Sequence, residues 1–154
     1  MLIIQELPIN AGTNIIVRNP TMTKKVPDFL YEQESYKIRG ACFAVYNTLG
    51  GGIRENIIEK ALVEELRSEG FAVTTQGRID VTYKDKKVGT YIPDIVVDDK
   101  IIIELKSKPF ITKEDEKQFW GYLKGSRYEL GFLINFGSNK LTIKRFIHTK
   151  KISA

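Results

Sequence analysis

The sequence predicts a mixed α/β domain with a single central β-sheet flanked by helices. Three observations carry this. Helical patterning occupies three segments, near residues 32–49, 53–69 and 112–126. Between and after the last two lie short runs rich in Ile, Val, Tyr and Thr, of strand length and bounded by turn residues. The chain has 154 residues, enough for one hydrophobic core and short of two. The resulting core order is helix, three or more strands, helix, strand.

Residues 1–27 read as an N-terminal hairpin appendage, and 28–154 as the main domain. "IIQELPINAGTNIIVRNP" sets two short apolar runs around Asn-Ala-Gly-Thr-Asn, a hairpin pattern that would extend the sheet, make a homodimer or stay disordered. Pro20 and Pro27 bracket a polar spacer. From Glu32 to Leu49, Ile38, Cys42, Val45 and Leu49 recur at helical spacing, and Gly50-Gly51-Gly52 ends that helix. A second helix is expected from Ile53 to Glu69, with Ile57, Ile58, Ala61, Leu62 and Leu66 inward and Gly70 as its stop.

"FAVTTQ" and "IDVTYK" are the next strands, followed by a turn at Asp85-Lys86-Lys87 and a strand pair around Asp98-Asp99-Lys100. "TKEDEKQFWGYLKGS" starts with Thr112 and Asp115 in capping-box spacing. "YELGFLINF" and "KLTIKRFI" close the domain as strands joined by Gly137-Ser138-Asn139.

Composition narrows the function classes. Hydrophobic residues are 42% and charged residues 28%, a soluble globular balance. No apolar run approaches the ~18 residues of a membrane span, so no membrane partner is expected. The N-terminus lacks the basic and apolar regions of a secretory signal. The lone Cys42 excludes an internal disulfide and a protein-borne iron–sulfur cluster and fits a cytoplasmic location. One histidine, His148, leaves little for zinc. Any metal would be hard and oxygen-bound. Beyond Gly137 lie Lys140, Lys144, Arg145, Lys150 and Lys151 with no acid, and these five equal the net charge of +5. They form either a solvated edge or a phosphate-contacting strip centred on Lys144 and Arg145.

The stretch "YIPDIVVDDKIIIELKSK" places Asp94, Glu104 and Lys106 inside otherwise apolar strands, where an unpaired charge costs several kcal/mol. Alternation directs Glu104 and Lys106 to one face. With a three-residue loop, Val97 pairs with Ile101 and Asp94 falls opposite Glu104, within ~4.5–5.5 Å between Cβ atoms. Carboxylates that close repel unless a proton or cation lies between them. Mg²⁺, which takes one or two carboxylates plus waters and phosphate, suits so sparse a cluster. The plainer alternative is a cross-strand carboxylate–lysine pair on a wet sheet surface.

Pro93-Asp94, followed ten positions after Asp94 by Glu104-Leu105-Lys106, resembles the PD-(D/E)xK nuclease superfamily. "GGIRENIIEKALVEELRSEGF" and "LGFLINFG" extend the likeness to the GxxExxY family within it, over roughly Tyr31 to Ile147. The resemblance implies a restriction-endonuclease-like αβββαβ core. It also implies Asp94 and Glu104 as metal ligands, with Mg²⁺ or Mn²⁺ as the cofactor, and Lys106 positioning or activating water. Gly52 and Glu55 match the family G and E, and Ile58 stands where its Tyr would be. Glu55 is the candidate third carboxylate, against a simple helix-dipole role, and the Leu105 carbonyl a further metal contact. Gln118 and Tyr122, four apart on one helix face, resemble the Q-x-x-x-Y pair of RecB-like nucleases and would hold the DNA backbone. Alternatively they flank a core stripe of Phe119 and Leu123. Gly52 would let phosphate approach a helix start.

The function expected is therefore metal-dependent phosphodiester hydrolysis of nucleic acid, DNA ahead of RNA, by in-line attack of a metal-bound water. The rival is an inactive module of the same fold that binds nucleic acid or a protein.

Overall fold

The computed structural model describes residues 30–150 and, for residues 3–6, the backbone alone. Strand β1 (Ile3–Glu6) pairs antiparallel with the last strand of the domain, Ile3 opposite Ile147. The second run of the expected hairpin lies outside the described residues. Helix α1 (Glu32–Leu49) opens with Glu32 and Glu34 at the positive end of its dipole. It closes at Gly50, whose φ of 76° with ψ of −168° lies in a region that glycine adopts without strain.

Helix α2 (Glu55–Ser68) buries Ile58, Leu62, Val63 and Leu66. Ile57, expected inside, is 44% exposed. Ile58, Leu62 and Leu66 set the inward face at spacing four. Ile57 lies about 100° around on one shoulder, and Val63 occupies the other. Together α1 and α2 cover one face of the sheet, each buried aliphatic side chain contributing ~1.5–3 kcal/mol.

The strands that follow are β2 (Val73–Thr75), β3 (Ile79–Tyr83), β4 (Lys86–Tyr91), β5 (Ile95–Val97) and β6 (Ile101–Lys106). Helix α3 (Lys113–Gly125), β7 (Leu130–Phe136) and β8 (Leu141–Ile147) complete the chain. The central sheet runs β1-β8-β7-β6-β5-β2. Among the described residues only β6 and β7 pair in parallel, and α3 makes the long crossover that a parallel pair requires. The expected capping box at Thr112 and Asp115 is present in both directions. All seven residues of β7 are buried, as a strand covered on both faces demands.

Strands β3 and β4 stand apart as a two-stranded sheet rather than joining the central one. Their turn is Lys84-Asp85, one residue earlier than expected. Both residues have positive φ, 50° and 63°, the tight-hairpin geometry that matches strand twist. The base of this ribbon, Ile79, Val81 and Tyr91, packs with α3.

Alternation along β6 divides the two cores. Ile101, Ile103 and Leu105 face α1 and α2. Ile102 faces α3, and so by period two do Glu104 and Lys106. The turn between α1 and α2 packs on the β7–β8 turn, backbone to backbone. A Cβ at Gly51 would lie 1.8 Å from the Gly137 carbonyl oxygen, so that position admits only glycine. Among the described residues no helix is long and apolar enough to cross a membrane.

Candidate active site

The hairpin of β5 and β6 has the register that a three-residue loop dictates. Val97 pairs with Ile101 and Ile95 with Ile103, which carries Asp94 opposite Glu104. Asp98 and Asp99 turn the chain with φ of 50° and 51°, conformations that aspartate tolerates better than most residues. Asp94 Oδ2 accepts from the Leu105 N–H at 2.7 Å. The N–H and C=O of one strand residue project to the same side, so the Leu105 carbonyl faces the edge where Asp94 sits.

Glu104 and Lys106 line a cleft of about 360 Å³ between the sheet and α3, with Tyr91, Asp115, Gln118 and Tyr122 also on its walls. Burial, then the charge of Asp94, raises the Glu104 carboxyl to about 8. Hydrogen bonding from Tyr91 and the charge of Lys106 oppose that shift without cancelling it. The phenol of Tyr91 donates to Glu104 Oε2 and is itself pushed up, first by its own burial and then by Glu104. Tyr122 stacks flat on Tyr91, with ring centroids 4.1 Å apart and planes 5° apart. Gln118 is exposed at the cleft wall. At the far end of the cleft Lys108 Nζ pairs with Asp115 Oδ2 at 2.5 Å. Partial burial raises the Asp115 carboxyl, but bonds from Lys108 and Thr112 outweigh it and hold the group at about 2.

Helix α2 contributes two acids rather than the one expected. Glu55 Oε1 accepts from the Ser107 N–H at 3.3 Å, just past the end of β6. Glu59, one turn later, is raised by burial and then by the charge of Asp94, with Gln76 hydrogen-bonded to it. Among the described residues no three His, Cys, Asp or Glu side chains form a ready-made metal cage. The donor chemistry nevertheless fits a hard divalent ion. The Glu104 carboxyl, raised in part by the charge of Asp94, stands near Asp94 and the Leu105 carbonyl, with an open cleft for water.

Three expected substrate contacts are placed otherwise. Gly52 donates its N–H to the Phe136 carbonyl at 2.9 Å, so this amide is not available to a phosphate. Lys144 faces α3 and pairs with Glu116, their side chains only 12% and 8% exposed. Arg145, on the opposite face of β8, is 3% exposed and donates Nη2 to the Leu30 carbonyl at 2.6 Å. Lys150, from the same basic tail, donates Nζ to the carbonyls of Leu123 and Lys124 and caps the C-terminal end of α3. Lys144, Arg145 and Lys150 are thus tied into the fold. Replacing Lys144 by alanine would leave the buried Glu116 with only the longer 3.7 Å contact to the exposed Lys113, so urea unfolding should report a loss of about 2 kcal/mol. A change below about 0.5 kcal/mol would return Lys144 to the surface.

Tyr91 and Glu59 are the residues that sequence reasoning missed. Tyr91 lies three positions before Asp94 and reads as an ordinary β-forming aromatic. Glu59 is four positions after Glu55, hence on the same helix face, and that spacing is the signal that could have found it.

Comparison with curated proteins and with solved structures found no significant match to either. A family model described as the PD-(D/E)XK nuclease superfamily matches residues 32–146, which span α1 to nearly the end of β8 and include every acid of the cleft. On that match, and with the mixed sheet and the Asp94–Glu104–Lys106 arrangement in place, this chain belongs to the PD-(D/E)XK nuclease superfamily.

Proposed function

We propose that this chain is a nuclease of the GxxExxY kind that uses Mg²⁺ or Mn²⁺ to hydrolyse phosphodiester bonds, with DNA as its substrate. The observation that carries the reading is the half-buried carboxyl pair Asp94 and Glu104, with the Glu104 carboxyl raised to about 8, beside Lys106 on one cleft wall. A pair so arranged weakens the fold unless it has a task, and holding a cation is the task it suits.

Asp94, Glu104 and the Leu105 carbonyl would hold the ion, with Glu59 and Glu55 bordering the site from α2. A divalent ion bound there supplies water acidified toward neutral pH and neutralises charge at phosphorus. Lys106 orients or deprotonates the attacking water and faces the scissile phosphate. Gln118 presents its amide to the substrate backbone from α3. In-line displacement would leave a 3′-hydroxyl and a 5′-phosphate.

The test compares wild type with Glu104→Ala on linear duplex, circular duplex, single-stranded DNA and RNA, in Mn²⁺ or EDTA. Cleavage by wild type alone, and only with metal, is expected. Equal cleavage by both proteins sinks the assignment of the site. No cleavage of any substrate turns the reading toward an inactive nuclease-fold module.

A further inference from the structure

The substrate proposed above is a polyanion, yet the cations expected to receive it are engaged internally. Lys144 and Arg145 are enclosed, and Lys150 caps α3. Near the cleft Lys108 is tied to Asp115, and the floor is acidic. Beyond Lys106 and Gln118 in the cleft itself, a long nucleic acid needs further phosphate contacts outside it.

The β3–β4 ribbon begins at the cleft and leads away from it. Thr90, Tyr91 and Ile92, at the end of β4, form part of the cleft wall. From Tyr91 back to Lys86 is about 17 Å at ~3.4 Å per residue, roughly five nucleotide steps. Every residue from Thr82 to Val88 is exposed. Tyr83 is 65% exposed and Val88 64%, so the tip presents large apolar groups that no described residue covers.

Residues 78–88 carry Arg78, Lys84, Lys86 and Lys87 against Asp80 and Asp85, four cations to two acids. Lys87 is paired with Asp80 at 2.8 Å. Lys84 lies over the Tyr83 ring, 5.5 Å from its centroid, and Lys86 is the cross-strand partner of Tyr83. The exposed Tyr83 ring thus has one amine over it and a second lysine directly across the strand pair. That combination takes a sugar or base on the ring and phosphates on the amines, and a two-stranded ribbon is of a size to enter a duplex groove.

We infer that the tip of the β3–β4 ribbon is a substrate-holding arm of this nuclease. Lys84 and Lys86 contact backbone phosphates of duplex nucleic acid and Tyr83 packs on a sugar or base, about five nucleotides from the bond cleaved. The inference rests on the proposed nuclease reading, and cleavage in Mn²⁺ judges that reading separately.

The experiment is fluorescence anisotropy of the full chain in EDTA, with a labelled duplex of about 20 base pairs, between about 50 and 200 mM salt. Lys84→Ala combined with Lys86→Ala should weaken binding about tenfold at the lowest salt. It should also make the slope of log K against log salt shallower by about two, the share of two phosphate contacts. Tyr83→Ala should weaken binding about fivefold with the slope unchanged. Thermal melting should not move, since all three side chains are exposed. Wild-type affinity and slope in both variants would overturn the inference and assign the tip to a protein partner. Absence of duplex binding by wild type in EDTA would overturn it too.

Discussion

Replacing Lys106 by alanine is expected to lower metal-dependent cleavage about 10³-fold while leaving Mn²⁺ affinity within a few-fold of wild type. Lys106 shares the Glu104 face of β6 and the wall of the same cleft, but its amine cannot bind a cation. Its contribution belongs to the reacting water and the charge developing on phosphate, and a positioned acid–base or charged group there supplies ~10²–10⁴-fold. Lys106→Arg separates the two roles. A guanidinium keeps the positive charge but does not accept a proton near neutral pH. Partial rescue by Arg assigns Lys106 to charge stabilisation, and no rescue assigns it to the water. Single-turnover cleavage measures both. Full activity in Lys106→Ala would remove Lys106 from the chemistry altogether.

Much of this site was legible in the sequence because its geometry is local. A three-residue loop and period-two alternation suffice to set Asp94 opposite Glu104 and to put Lys106 beside it, and the observed register agrees. The long-range part was not legible in the same way. Alternation shows that Lys144 and Arg145 leave β8 on opposite faces. It does not show that Glu116, 28 residues earlier, waits on α3 to pair with Lys144. Pattern likewise gives β3 and β4 the same strand signature as β5 and β6. Which strands join the central sheet is decided by pairing partners, and β5 takes β2 and β6 as its neighbours. Tyr91 has its contact with Glu104 across from β4 to β6, and its stacking on Tyr122 because α3 packs across the ribbon base.

The like-charged pair also makes metal binding a proton-exchange reaction. Glu104 is raised from an ordinary carboxyl near 4.5 to about 8, first by burial and then by Asp94. A group whose folded pKa is raised favours the fold most below its unfolded value. That contribution is lost as pH rises through about 8, so metal-free protein should become less stable from about pH 5 to pH 8. A divalent cation requires the ionised carboxylate, so it must displace the proton below pH 8. Its affinity is expected to rise close to tenfold per pH unit between pH 6 and pH 8, then level off, with nearly one proton released per ion bound in the lower range. Calorimetry in buffers of different ionisation enthalpy counts that proton directly. In Glu104→Gln the metal-free protein should lose the part of that decline that Glu104 contributes, because the amide cannot ionise, and the remaining weak metal affinity should lose most of its pH dependence. Wild-type affinity that is independent of pH between 6 and 8 would mean that Glu104 is already ionised without metal. The Asp94–Glu104 repulsion would then be too weak to explain why the fold encloses these two acids.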